Sequence, residues 1–442
     1  MYSSQYEFYV TEIQSMWDAT SWMTRGGMHI DINALLKHRR DIANAIAQNE
    51  SSLQATLKWT PNTKSSLDMA RLLAELGVQP SKTKKSNKVR IGKDDLLGYA
   101  HKYPSSRAIL ATCLEITRLR TLQSNFLDLA LDSNDYYHPT YGLNATATGR
   151  YASRGADEGG PQGQNWPHSL LNLVIPDNPG DELTEADLKQ AEDMIIAWDS
   201  HDKIAMEAFT KGVDSHRLKA CWAFRNWDYS AGLPSSVMLV SITEVCDVCK
   251  SLGQSQCNHS ERFIAKQSGY AFKYQMGPRK LVNKILPTMG IFISENEGKR
   301  IKDRIVSPPT SKWQSNTELD LRKSRWLTNL LGRKREFYGI LDDGGELLRS
   351  ALSWKAQSVV GVIAGRAVTR LERSLRLIGP TARLITQRHD SVLVSHSPRD
   401  RARVRLALAE AFYSPVNAHG RVLNIPIEVK HGPNWRDLEK EK

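Results

Sequence analysis

Cysteine is scarce in this chain of 442 residues: there are five, and three of them crowd between Cys246 and Cys257. An odd, clustered set argues against a disulfide framework and leaves metal ligation or plain thiols. Long apolar runs are missing too, and nothing approaches the roughly 18 consecutive apolar residues that a membrane helix needs. The opening residues, MYSSQYEFYVTEIQSMWD, lack a basic segment followed by an apolar one, so no secretory signal is expected and the cytoplasm is the expected location. Low-complexity tracts are absent, and at 40% hydrophobic and 24% charged the composition is that of an ordinary globular protein. An acidic excess is lacking as well. The 60 Lys and Arg outnumber the 48 Asp and Glu, for a net charge of +12 and a pI near 9.3. Such a balance favours a polyanionic partner, because cations that neutralise phosphates release condensed counterions.

The length is that of roughly three domains. Apolar residues at three- and four-residue spacing predict a helix from Ile32 to Leu57 and another over Ser65–Leu76. The stretch PSKTKKSNKVRIGK, Pro80 to Lys93, then places six basic residues among small polar ones, the pattern of a loop suited to a phosphate backbone. Helical periodicity resumes from Ser106 to Leu131. Periodicity vanishes in the Gly-, Pro- and Asn-rich segment Asn144–Gly180, after which Asp181–Ser200 reads as a strand leading into a helix. Helices dominate from His201 to Leu286, Glu346–Leu375 is one long helix, and LITQRHDSVLVSH, Leu384 to His396, reads as a hairpin. The class is α+β, with carboxylates at strand ends far apart in sequence.

Two of those carboxylates stand out. Asp187 sits where a strand gives way to a helix, and Asp390 lies in the middle of an apolar hairpin. A lone Asp in either place is a solvated turn. Two together can share divalent cations, and two ions about 3.5–4 Å apart stabilise both the attacking and the leaving oxygen of a phosphoryl transfer. In ERFIAKQSGYAFKYQMG, Arg262, Lys266, Tyr270 and Tyr274 fall four residues apart and form one stripe of a helix. Cations followed by aromatic rings suit a nucleoside triphosphate, although an amphipathic helix with core aromatics has the same pattern.

These segments together resemble the polymerase region of family A DNA polymerases, the DNA polymerase I type, over nearly the full chain. Asp187 and Glu192 match the family's motif A, the Arg262 stripe its motif B, and His389-Asp390 its motif C. TATGR (Thr146–Arg150), QNWP (Gln164–Pro167), Arg349 and Gln357 of the long helix, and IPIEVKHGPNW near the end are similar to further family elements. The resemblance implies a right hand: a palm of antiparallel sheet plus helices, helical fingers and a helical thumb. The expected divisions are 1–60 connector, 61–140 thumb, 141–200 first palm segment, 201–335 fingers and 336–442 second palm segment. It implies DNA synthesis from dNTPs on a primer 3′-OH, with two Mg²⁺ held by Asp187, Asp390 and the carbonyl of Leu188. Arg262, Lys266, His216, Tyr270 and Glu192 would serve the dNTP, with Glu192 excluding a 2′-OH. Arg150, Gln164, Asn165, Tyr274, Arg349, Gln357, His389 and, in the basic loop, Lys84 and Lys85 would contact primer-template DNA.

The chain also departs from that family. Ser391 replaces the motif C acid, a feature shared with single-subunit RNA polymerases, which keeps RNA synthesis as an alternative beside a non-catalytic DNA-binding scaffold. Cys246, Cys249, Cys257 and His259 have the spacing of a tetrahedral site and suggest a structural Zn²⁺. Only about 60 residues precede the thumb-like helices, so no 3′→5′ exonuclease or 5′-nuclease is expected in this polypeptide. A monomer associated with the nucleoid follows, with exonuclease, helicase or clamp supplied by other proteins.

Overall fold

The computed structural model describes residues 4–82, 89–143, 145–155, 160–242, 260–286, 291, 293–341 and 345–440. Its contacts divide the chain into two units, Ile30–Tyr137 with Gly155–Pro161, and the remainder. Lys84, Lys85, Cys246, Cys249, Cys257 and His259 lie outside the described residues. Among the described residues no helix is long and apolar enough to cross a membrane.

In the larger unit, α1 (Trp17–Gly26) precedes the first break. The smaller unit is helical: α2 (Ile32–Leu57), α3 (Ser66–Glu75), α4 (Lys93–Lys102) and α5 (Arg107–Leu122). Asp31 and Ser65 cap α2 and α3 by accepting from Ala34 N and Asp68 N. Leu53, Met69, Leu72, Leu73, Leu96, Tyr99, Leu110, Cys113 and Ile116 form its core. The division expected at residue 60 falls instead at His29/Ile30, because α2 buries Leu53 in this core. A helix not predicted from the sequence occupies Lys93–Lys102, starting at the last residue of the expected basic loop, and buries Leu96 and Tyr99. Only the base of that loop is described, where Lys82 and Val89 form an antiparallel bridge.

The larger unit is built on a five-stranded antiparallel sheet: β1 (Glu182–Leu188), β2 (Ala382–Arg388), β3 (Ser391–His396), β4 (Ile427–Gly432) and β5 (Glu439–Lys440), in the spatial order β5-β4-β1-β3-β2. β3 is buried along its whole length, which is why this hairpin reads as nearly continuous apolar sequence. The 33-residue α12, Glu346–Ile378, packs on the sheet together with α13 (Arg401–Phe412). Between β1 and α12 run α6 (Ala191–Asp199), α7 (Lys203–Thr210), α8 (Ser215–Phe224), α9 (Glu261–Lys273), α10 (Glu295–Ile305) and α11 (Pro308–Ser324). Ala220, Cys221, Ala265, Phe272, Leu281 and Ile301 form a separate core among these helices. At Gly361 on α12 a Cβ would lie 3.2 Å from the backbone of Thr148–Arg150, so the absent side chain lets the TATGR turn lie against the helix.

Candidate active site

The sheet brings the two distant carboxylates together. Asp187 is the penultimate residue of β1, paired across the ladder with Ser391, and Leu188 N donates to Asp390 O at 3.2 Å. Asp390 sits in the two-residue turn between β2 and β3, where His389 adopts a left-handed φ of 56°. Gln387 Nε2 donates to His389 O at 2.6 Å and Gln164 Nε2 to Gln387 Oε1 at 2.6 Å, so the turn is braced from behind. Gln164 is itself buried, which places it in the bracing network rather than at the surface. Asn165 is exposed, with its amide on Gln162 Oε1 at 2.5 Å.

The strand pairing sets the Asp187 and Asp390 carboxyls side by side on the wall of one cavity. Burial, then Asp390, then Glu185 push Asp187 up to about 7. Asp390 is raised as well, mainly by burial, with Arg150 working the other way. Two half-desolvated carboxylates that close share a proton unless a cation joins them. As a donor set they suit a hard divalent ion, which takes one or two carboxylates and completes its shell with carbonyl, water and phosphate oxygens. Among the described residues no three His, Cys, Asp or Glu converge as a cage that would hold a metal without such additions. A folded-state value above the unfolded one means that the folded chain binds the proton more tightly. The stability from this proton is therefore full below the ordinary value of 3.8 and is lost as the pH rises towards 7. In EDTA, Asp187→Asn is expected to raise the melting temperature more at pH 8 than at pH 5. Equal differences at the two pH values in thermal scans would count against this account.

Around the pair lies a cavity of about 440 Å³, lined by Asp187, Leu188, Glu192, Asp214, His216, Arg262, Lys266, Tyr270, Asp390, Glu428 and Lys440 among others. Helix α9 delivers the stripe: Arg262, Lys266 and Tyr270 face the cavity, and the Tyr270 ring is 38% exposed. Ser260 caps this helix by accepting from Phe263 N. Arg262 donates to Asp214 Oδ2 through Nε at 3.0 Å and a terminal nitrogen at 2.5 Å. Asp214 also caps α8, accepting from His216 N and Arg217 N. Against the upward pull of burial, Arg262 holds the Asp214 carboxyl below its ordinary range. Burial and the Lys219 ammonium lower His216 to about 4, so its ring is neutral at pH 7. Its buried Nδ1 has no hydrogen-bond partner in the described structure.

Glu192, on the first turn of α6, is fixed from two sides. Arg150 donates to its Oε1 at 2.8 Å, and the Tyr274 hydroxyl donates to Oε2. Burial would raise its pKa, but Lys273 and Arg150 hold it below the ordinary range. Tyr274 thus lies beside the acid, not on the exposed part of the stripe. Arg349 lies apart from the pair, on an open cleft of about 1140 Å³ with Gln275, Arg279, Lys280, Lys302 and Gln314. Gln357, two turns further along α12, is half-buried.

Three participants were not identifiable from sequence. Glu428 pairs directly across from Asp187 on β4, and Lys440 reaches it from β5. Asp193, immediately after Glu192, is buried with Lys219 Nζ at 2.8 Å and Lys273 as a second ion-pair partner. These two ammonium groups overcome burial and hold Asp193 well below the ordinary range.

The structure aligns with the POL domain of Pol1 from M. smegmatis, a structure containing DNA primer-template and dNTP, with a TM-score of 0.77 over 97% of this chain and 70% of that one, at 20% identity. The fold is that of a DNA polymerase I polymerase domain. The DNA polymerase I of Treponema pallidum is 25% identical over 381 residues, which is 83% of this chain and 34% of that protein. For the DNA polymerase I of Caldicellulosiruptor bescii the figures are 23% over 431 residues, 94% and 46%. The chain thus spans between a third and a half of the length of these relatives. No family model matches it.

Proposed function

We propose that this polymerase fold performs template-directed DNA synthesis, adding dNTPs to a primer 3′-OH. The observation that carries the proposal is the convergence of Asp187 and Asp390 with the Arg262–Lys266–Tyr270 face of α9 around one cavity. Mg²⁺ ions bound at Asp187, Asp390 and the carbonyl of Leu188 would supply charge stabilisation at the attacking and leaving oxygens. Arg262 and Lys266 bind the triphosphate, His216 offers its unpaired Nδ1 to it, and Tyr270 presents its ring to the sugar and base. Arg150 and Gln357 face the primer-terminal pair. Arg349 and the basic cleft beside it take the template. Lys84 and Lys85 extend the grip on duplex backbone, and Cys246, Cys249, Cys257 and His259 brace the helical region with zinc; these last two statements rest on sequence alone.

The test is primer extension with Mg²⁺ and dNTPs or rNTPs in parallel. A primer with a mismatched terminus is included, from which no excision is expected. Extension with dNTPs alone supports the proposal, and extension with neither nucleotide refutes it.

Ser391 favours weighing RNA synthesis as the second reading, and Glu192 decides between the two. Pinned between Arg150 and Tyr274, its carboxylate cannot swing aside to admit a 2′-OH. Glu192→Ala is expected to raise rNTP incorporation relative to dNTP by about 10²-fold or more, the scale lost when a site no longer clashes with or desolvates a hydroxyl. Unchanged selectivity in single-nucleotide kinetics would remove Glu192 from this role.

A further inference from the structure

The cavity has a second wall of charge, and one member of it, Lys440, lies outside the polymerase motifs. β5 pairs with β4 through Lys430↔Lys440 and His431↔Glu439. β4 in turn pairs with β1 through Glu428↔Asp187 and Lys430↔Glu185. Directly opposed residues and residues two apart share a face of a sheet. Asp187, Glu428, Lys430 and Lys440 therefore project from one face, and Lys440 lines the same cavity as Arg262 and Lys266.

We propose that Lys440 is a sheet-side contact for the polyphosphate of the incoming nucleotide and for the pyrophosphate that leaves, held ready on Glu428. This rests on the nucleotidyl-transfer reading above. The Lys440 ammonium lies 2.7 Å from Glu428 Oε2, while Lys430 lies 3.3 Å from Oε1 of the same carboxylate. Glu428 is thus doubly neutralised. When Lys440 leaves it, Lys430 remains, and no bare carboxylate is left beside Asp187. The Lys440 side chain is 66% exposed, so its hold on Glu428 is weakened by solvent and easily exchanged. A polyphosphate carries several negative charges where Glu428 carries one, and it outcompetes that carboxylate for the ammonium. Arg262 and Lys266 reach the cavity from α9, and Lys440 reaches it from the sheet, so a bound polyphosphate would be neutralised from two elements.

Inorganic tripolyphosphate, titrated calorimetrically into the full chain in EDTA at low salt, tests this without turnover. Lys440→Ala is expected to weaken binding about fivefold or more, the size of one charge-assisted contact at a partly exposed place. Lys440→Arg should retain it, and Glu428→Gln should tighten it by freeing the ammonium. Opposite signs for the two partners separate ligand contact from a structural role, because loosening β5 would weaken binding in both. Parental affinity in Lys440→Ala, with affinity lost in Arg262→Ala, overturns the proposal and leaves the triphosphate reading standing. Parental affinity in both variants overturns the two together.

Discussion

Asp390→Ala is expected to abolish primer extension, with a fall of at least about a thousandfold, because metal-borne charge stabilisation contributes several kcal/mol to such transfers. Structure and chemistry can be separated in this variant. Asp390 forms a turn whose backbone is braced by Gln387 and by Leu188 N, and neither interaction uses its carboxylate. Its replacement should leave the melting temperature in EDTA unchanged or raised, since the carboxylate pair repels when both members are ionised. Asp187→Ala should behave alike in activity. A variant that folds, binds primer-template and still extends within tenfold of the parent would remove the pair from the chemistry. Single-turnover extension with a preformed DNA complex reads the step directly and leaves binding losses out.

The second large effect is on folding. Asp193→Ala should destabilise the larger unit by about 3–5 kcal/mol, the cost of breaking a buried ion pair by removing one partner. Two ammonium groups converge on this carboxylate, from Lys219 of α8 and Lys273 of α9, and Ser215 Oγ donates to it at 3.0 Å. Without it both cations lose their ion-pair partner, Lys273 being buried beside the rings of Tyr270 and Tyr274 at 4.6 and 5.7 Å from their centroids. Replacing all three by apolar residues, Asp193→Leu with Lys219→Met and Lys273→Met, should recover most of the loss, as apolar substitutes for buried charge networks often do. Urea unfolding followed by circular dichroism gives the midpoints. A single variant as stable as the parent would show that the ammonium groups find water.

That network also marks where the sequence stopped being legible. Asp187, Asp390 and the stripe from Arg262 to Tyr270 could be read because each lies inside a short motif of fixed spacing. The hairpin and the α12 helix could be read because their apolar periods are strong. Lys219 and Lys273, by contrast, look like the solvent side of amphipathic helices, and only packing shows that they are buried around Asp193. Glu428 and Lys440 were invisible for another reason: strand register between distant segments decides what faces Asp187, and one chain carries no record of that pairing. The resemblance makes Gln164 a DNA contact, and the sequence does not show that it is buried behind the hairpin with its amide on Gln387. Helix α4 was missed because the basic residues before it set the reading, and Gly98 weakens its period.

The pairing of Arg262 with Asp214 has one more consequence. The guanidinium does not wait empty-handed; a ligand must exchange with a resident carboxylate to gain it. Asp214 loses little in the exchange, since the amides of His216 and Arg217 still hold it at the start of α8. A ligand with a single phosphate offers up to about twice the charge of the carboxylate it would displace, whereas a triphosphate offers about four times as much. On the proposed function, the resting site would thus weigh its ligands by charge, favouring nucleotides that still carry the phosphates the reaction consumes.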